Sequence, residues 1–246
     1  MADLGPSNRN SRGDWRPDSP ITLAPINVWP FQISNITKWF FGFPGFLWPY
    51  NAFWLAVTIL TWTYLTPDLA TMANLELWWI GLILARNTTL ILILFGGLHL
   101  YLYVFKRQGE EHQFTTRPFA TNNRKFLFKN QVTDNMARTL LSAVPIITTY
   151  EILTYWAFAN GFLGFFDFSS SQLIFWVWFL FLLILAPVIH AVHFYLGHRL
   201  LHTKFLYKKV HALHHYNVEI GPWSGLAMHP VEHVIYLSTL TVQWLL

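Results

Sequence analysis

The sequence predicts an all-α fold: a polytopic membrane helical bundle of about four spans plus the start of a fifth, with a cytosolic histidine-rich helical cap. Three observations predict it. The 246 residues are 54% hydrophobic and only 11% charged, against about 25% charged in a soluble domain. The apolar residues fall into runs of about twenty, the length a helix needs to cross about 30 Å of hydrocarbon. Nine of the eleven histidines crowd into residues 190–233, where the most apolar of those runs ends.

Cysteine is absent. That removes disulfides, thiolate ligands, iron–sulfur clusters and cysteine nucleophiles together. Any metal site must therefore use nitrogen and oxygen donors. The net charge of +4 is modest. In so apolar a chain it reads as orientation and lipid contact, with no nucleic-acid partner.

Residues 1–45 form a polar tail and an interfacial segment. The first twenty are polar and rich in Pro, Ser and Arg, which reads as a disordered tail without a removable signal peptide. Pro25, Pro30 and Pro44 break any long helix after it. Trp29, Phe31, Trp39, Phe40 and Phe41 suit the membrane–water interface.

A transmembrane region, 46–186, follows. Its first span is 46–66, ended by Pro67 and Asp68. The next apolar region, 77–105, is long for one crossing and contains Arg86. The span is placed at 88–105, with 77–85 as an interfacial turn and Arg86 snorkelling. A single long tilted helix with Arg86 inside is the alternative. Residues 106–138 read as a basic, polar loop. The third span, 139–160, contains Glu151, which either pairs with Arg138 or a histidine or makes an internal polar contact of the bundle. A short connection, 161–171, leads to the fourth span near Gln172. No Lys, Arg, Asp or Glu occurs from Phe168 to His198. A helix that long measures about 46 Å at 1.5 Å per residue, so one starting near Gln172 leaves the hydrocarbon near Ala191. His190 and His193 then sit at the membrane boundary, with His198 and His202 just beyond. Pro187 is expected to kink this helix.

Four crossings put every basic stretch except Arg86 on one side, which the positive-inside rule makes cytosolic. The histidines emerge on that side, in a bacterial inner membrane or the endoplasmic reticulum.

Residues 187–246 form the histidine-box domain. His198 and His202 are spaced i, i+4 (HRLLH), so both leave one face of a helix. His211, His214 and His215 follow (HALHH), and on a helix His211 meets either of the others at ligand spacing. His229 and His233 repeat the i, i+4 spacing (HPVEH), with Pro230 placed as a first-turn residue. Neutral imidazole is the commonest metal ligand, and these blocks hold more ligands than one tetrahedral ion needs. Two ions follow from that surplus. His193 lies on a different helix face from His198 and His202. Glu232 reads as a carboxylate fixing a histidine tautomer, or as an ordinary surface acid. His99 and His112 read as plain interfacial polar groups, and His190 is open between the two readings.

At HRLLH, HALHH and WSGLAMHPVEH the sequence resembles the fatty acid hydroxylase / sterol desaturase superfamily of membrane di-metal oxygenases. The pattern HxxxH then HxxHH is met at His198 and His202 and at His211, His214 and His215, and residues 187–236 carry the resemblance. It implies two iron ions, with zinc as a possible occupant, and O₂-dependent hydroxylation or desaturation of a C–H bond of a membrane lipid, sterol or fatty acyl in type. It also implies an electron donor of the cytochrome b₅, ferredoxin or flavin reductase type. The implied metal ligands are His198, His202, His211, His214, His215, His229, His233 and His193, with Glu232 supporting them. One departure stands out. Relatives of this kind carry a further HxxHH block downstream, and the chain stops at Leu246 inside the apolar run that opens a fifth span. The expectation is a C-terminally truncated fragment with an incomplete ligand set.

Two other classes compete. A zinc-dependent membrane hydrolase would use HExxH, which is absent. A non-catalytic haem or metal carrier would place its ligands on facing spans or near the bilayer midplane, and here they cluster after one span.

Overall fold

The computed structural model describes residues 23–109, 117–164, 171–242 and 244. The polar tail, His112, most of connection 161–171 and the end of the last apolar run lie outside them. Among the described residues every named element is helical, and the one β-pairing is an isolated bridge between Thr121 and Asn130. The chain divides into two compact units, Met1–Tyr64 and Leu65–Leu246.

In the first unit, helix α1 (Ile33–Phe41) precedes helix α2 (Ala52–Tyr64). Phe46 packs on Trp39 and Phe40 with ring centroids 5.1 Å apart in both pairs. Trp29, Ile33 and Phe43 are each 80% exposed.

The second unit carries the histidines. Helix α3 (Leu77–Val104) runs unbroken through two π-helical turns, Leu92–Gly96 and Leu100–Val104. The expectation of an interfacial turn at 77–85 is therefore corrected: this stretch is the first part of the helix. Its start packs with Met72 around Trp79 and Ile83, against Ile152 and Tyr155. Arg86 does not snorkel. It is 7% exposed and ion-pairs with Glu151, 65 residues on. Arg86 also donates to Thr66 Oγ1 at 2.9 Å and to Asn87 Oδ1 at 3.1 and 2.9 Å. Glu151 accepts from Asn87 Nδ2 at 2.8 Å and from the Tyr155 hydroxyl at 2.8 Å. A charge pair inside an apolar bundle persists only when its remaining donors and acceptors are satisfied. This one has that support, so Glu151 is the internal polar contact of the bundle.

Helix α4 (131–159) begins eight residues before the span expected at 139–160. Asn130 starts it by accepting the Thr133 N–H at 3.1 Å, a side-chain N-cap. Residues 131–138, read from sequence as loop, are therefore helix. Gln131, Asp134 and Asn135 on this first turn are buried.

Helix α5 (Gln172–Leu201) passes through Pro187 without ending. Thirty residues span about 45 Å. With α3, it is one of two helices among the described residues long and apolar enough to cross a membrane. After it come helix α6 (Lys204–Lys209), 3₁₀ turns at His211–Tyr216 and Ser224–Leu226, helix α7 (Pro230–Leu237) and helix α8 (Thr239–Val242). Helix α7 packs against both α5 and α4.

Candidate metal centre

The end of α5 sets the first two ligands. His198 is in its last turn and His202 caps it. Both Nε2 atoms face the same way, 3.1 Å apart. Thr203 is extended (ψ 146°) and breaks the helix direction. The six residues of α6 then carry the chain back. Val210 (φ −124°, ψ −64°) ends that helix and opens the turn from His211 to Tyr216.

That turn is 3₁₀, not the α-helix expected from the spacing. Residues i and i+3 eclipse in a 3₁₀ turn, so His211 and His214 stack, with centroids 5.8 Å apart and planes at 20°. His215 swings onto the other side, and its Nε2 lies 3.0 Å from His211 Nε2. His211 also meets His198 and His202, both at 4.8 Å between centroids, and His202 meets His215 at 5.4 Å. One nitrogen from each of His198, His202 and His211 falls within 4.8 Å of the others.

This donor set fits a metal ion. Two nitrogens on one tetrahedral ion, each about 2.0–2.1 Å from it, stand ~3.3 Å apart. The two observed pairs are close to that. Burial, and after it the neighbouring imidazoles of His215, His198, His202 and His214, push His211 down to about 4. The ring is thus neutral at physiological pH, the form that binds metal.

The buried carboxylate of Glu232 backs the cluster. Its Oε1 lies 2.7 Å from His211 Nδ1, and the residue is 2% exposed. His211 Nε2 faces the other imidazoles, so Nδ1 carries the proton and donates to the carboxylate, the usual way a metal-bound histidine is oriented. Glu232 reaches this place through the start of α7. His229 is the N-cap and its Nδ1 accepts the Val231 N–H at 3.2 Å; Pro230 fills the first helical position. Burial raises Glu232 to about 7, partly opposed by the His229 backbone N–H.

Of the remaining predicted ligands, His214 stacks on His211 at the edge of the four-imidazole group, and the others have partners elsewhere. The His214 ring bonds to the Ala227 backbone. His193 donates from Nε2 to Ser238 at 3.0 Å, and its Nδ1 is buried and unpartnered. His229 spends Nδ1 on its helix cap. His233 is fully buried; Nε2 donates to the Leu226 carbonyl at 3.0 Å and Nδ1 accepts from Ser142 at 2.8 Å. Neither of its nitrogens is open to a metal. His190 lies 3.4 Å from Thr239.

The sequence reading missed Tyr207. Its ring packs on His202, His211 and His215 at 5.4, 6.1 and 5.7 Å. Its place one helical turn before His211 is the signal that was there to use. A second omission is the frame holding the 3₁₀ turn. Gln131 Nε2 donates to Asn217 Oδ1 and the Glu219 carbonyl at 3.0 and 2.6 Å. Asn135 Nδ2 donates to Asn217 Oδ1 and Ser224 Oγ at 2.7 and 3.1 Å. These bonds fasten the segment after His215 to the first turn of α4.

Comparison with known proteins comes to the same part of the chain. The family profile described as Fatty acid hydroxylase matches residues 183–246. Fatty acid hydroxylase domain-containing protein 2 of Macaca fascicularis is 35% identical over 97 residues, 39% of this chain and 26% of the relative. Delta(7)-sterol 5(6)-desaturase erg3C of Aspergillus fumigatus is 29% identical over 162 residues, 66% of this chain and 45% of the relative. Methylsterol monooxygenase 2-1 of Arabidopsis thaliana is 29% identical over 158 residues, 60% of this chain and 54% of the relative. The chain thus spans between about a quarter and a half of the length of these relatives. No solved structure matches.

Proposed function

From the premise that this chain, through residues 183–246, belongs to the fatty acid hydroxylase / sterol desaturase superfamily, we propose that it is an O₂-dependent oxidoreductase that hydroxylates or desaturates a C–H bond of a membrane lipid. The sterol-acting relatives favour a sterol or fatty acyl substrate class. The observation that carries the reading is the convergence of His198, His202, His211 and His215, with the His211–Glu232 bond behind them, at the end of a helix long enough to cross a bilayer.

His198, His202, His211 and His215 would hold iron, and His193 and His214 would serve a second ion. Bound iron would supply the oxidising power that an unactivated C–H bond requires. The chain's own residues do the rest. Glu232 fixes the His211 tautomer. His229 and Pro230 set the start of α7, which brings Glu232 to His211. His233, bound to Ser142 and Leu226, holds α7 against α4. A hydrocarbon would reach the cluster from α5, on which Leu173, Val177, Leu180, Val188, Val192 and Leu196 are exposed. Electrons would arrive from the other side, from a cytochrome b₅, ferredoxin or flavin reductase. There Lys204, Lys208, Tyr207 and Tyr216 border a recess that includes His202, a basic surface suited to an acidic donor. That side is read as cytosolic.

Metal analysis of the protein purified from its host membrane, with O₂ uptake on a lipid extract, tests the reading. Iron with lipid-dependent O₂ uptake is expected. Haem, or zinc with lipid hydrolysis and no O₂ uptake, would overturn it.

A further inference from the structure

The segment that follows the 3₁₀ turn of histidines lies along the last turns of α3. Trp223 packs on Phe95 with ring centroids 5.7 Å apart. Gly221 passes so close to Phe119 that a Cβ there would stand 2.5 Å from its ring. Phe119 in turn packs on Tyr103 at 4.7 Å. The Ile220 carbonyl accepts from the Tyr103 hydroxyl at 3.2 Å. Phe95 and Tyr103 are about 12 Å apart along a helix, so the segment, read backward from Trp223, climbs α3 to its end.

That end marks a depth. The 28 residues of α3 measure about 42 Å, more than the hydrocarbon layer of about 30 Å. Its last turn carries Tyr101 and Tyr103, of the residue type that collects at headgroup level, and the exposed Lys106 and Arg107 follow at once. Ile220 is tied to this belt. Ile220 and Val218 are 73% and 74% exposed, beside a helix end where Val104 and Phe105 are also exposed. Glu219 between them turns inward. Its carbonyl accepts from Gln131 at 2.6 Å, and its carboxylate pairs with Arg117 at 3.8 Å.

We propose that Val218 and Ile220 insert into the bilayer beside the end of α3, at the boundary between headgroups and acyl chains. What covers this face is the lipid surface rather than a protein, because Ile220 is bonded to the aromatic end of a membrane-length helix, where lipid already lies. Lys106 and Arg107 then sit among the headgroups, which favours anionic lipid. The inference rests on α3 crossing the bilayer. It matters for the metal centre because His215 is three residues before Val218, and Asn217 between them is bonded to Gln131 and Asn135. The end of α5 holds one side of the histidine turn, and the inserted pair holds the other. The imidazoles are thereby kept at one height over the acyl chains.

The chain has no cysteine, so single-cysteine variants each take one nitroxide spin label. Labels at Val218→Cys, Ile220→Cys, Leu98→Cys and Lys208→Cys are introduced in the full chain, in vesicles of phosphatidylcholine and phosphatidylserine. With side chains as exposed as those of Val218 and Ile220, cysteine at either position leaves folding intact. Power-saturation electron paramagnetic resonance compares relaxation by O₂, which concentrates in hydrocarbon, with relaxation by a water-soluble nickel chelate. O₂ should dominate at Val218, Ile220 and the α3 position Leu98. Nickel should dominate at Lys208, which borders the open recess beside His202. Dominance of nickel at Val218 or Ile220, with O₂ still dominant at Leu98, would overturn the insertion and leave the span standing. Dominance of nickel at Leu98 as well would overturn both.

Discussion

Glu232 Oε1 lies 2.7 Å from His211 Nδ1, a bond between two fully buried side chains 21 residues apart. It joins the start of α7 to the first residue of the 3₁₀ turn. Through it the carboxylate sets which nitrogen of His211 faces His198, His202 and His215. Removing it with Glu232→Ala should lower metal affinity of the cluster by about 10–100-fold. A chelator-competition titration measures this, and wild-type affinity in the variant would show that His211 needs no such partner.

His211→Ala and His214→Ala should each abolish lipid oxidation. Membrane insertion, read by protease protection and detergent extraction, should be unchanged. Turnover at the wild-type rate in either variant would mean that the ligands are misassigned.

The Arg86–Glu151 pair should govern stability rather than chemistry. Arg86→Met leaves Glu151 without its cation, and breaking one partner of a buried pair costs about 3–5 kcal/mol. The exposed edge of Glu151, whose side chain is 23% accessible, puts the loss at the lower end. The double variant Arg86→Met/Glu151→Leu should recover most of it. Thermal unfolding in detergent checks both, with metal content unchanged throughout.

Ser142→Ala separates the two roles possible for His233. It deprives His233 Nδ1 of its donor and should cost about 1–3 kcal/mol of stability. Metal content should stay at the wild-type level, because His233 holds α7 and not an ion. A drop in bound metal without a drop in stability would reverse that assignment.

Acid should destabilise the metal-free protein. Burial, more than their charged neighbours, holds His211 and His233 down to about 4 from 6.5. Between those values the unfolded chain takes up protons that the folded one refuses, so each histidine loses stability as pH falls from 6.5 to 4. Glu232 works the other way. Its folded carboxyl keeps a proton up to about 7 against 4.5 when unfolded, so its contribution is lost as pH rises through that window. Two histidines against one carboxyl leave a net loss on acidification. The melting temperature of chelated protein should be lower at pH 5 than at pH 7; a higher one would contradict the burial argument.

The local part of this site was legible in the chain, and the long-range part was not. The i, i+4 spacing of His198 and His202 fixes their common face on any helix, and the structure puts their nitrogens together. The approach of His211 to that pair was not readable. It depends on the extended Thr203 and on the backbone at Val210, neither of which bears a turn signal such as Gly or Pro. Spacing also misled. His229 and His233 repeat the ligand interval, yet His233 meets Ser142, 91 residues earlier, and no local pattern reports such a neighbour. Arg86 failed for the same reason: its partner Glu151 is on another helix, so an isolated arginine in an apolar run was assigned to the interface. The first turn of α4 was hidden by its charge and polarity, because Gln131, Asp134 and Asn135 are buried by hydrogen bonding rather than by apolar contact.

The most direct measurement of the central claim is product formation by purified protein from a lipid extract with a chemical reductant, with O₂ present and excluded, in the wild type and in His211→Ala. The account predicts a lipid that has gained one oxygen or lost two hydrogens, formed only by the wild type and only with O₂. The same product from His211→Ala, or its formation without O₂, would contradict it.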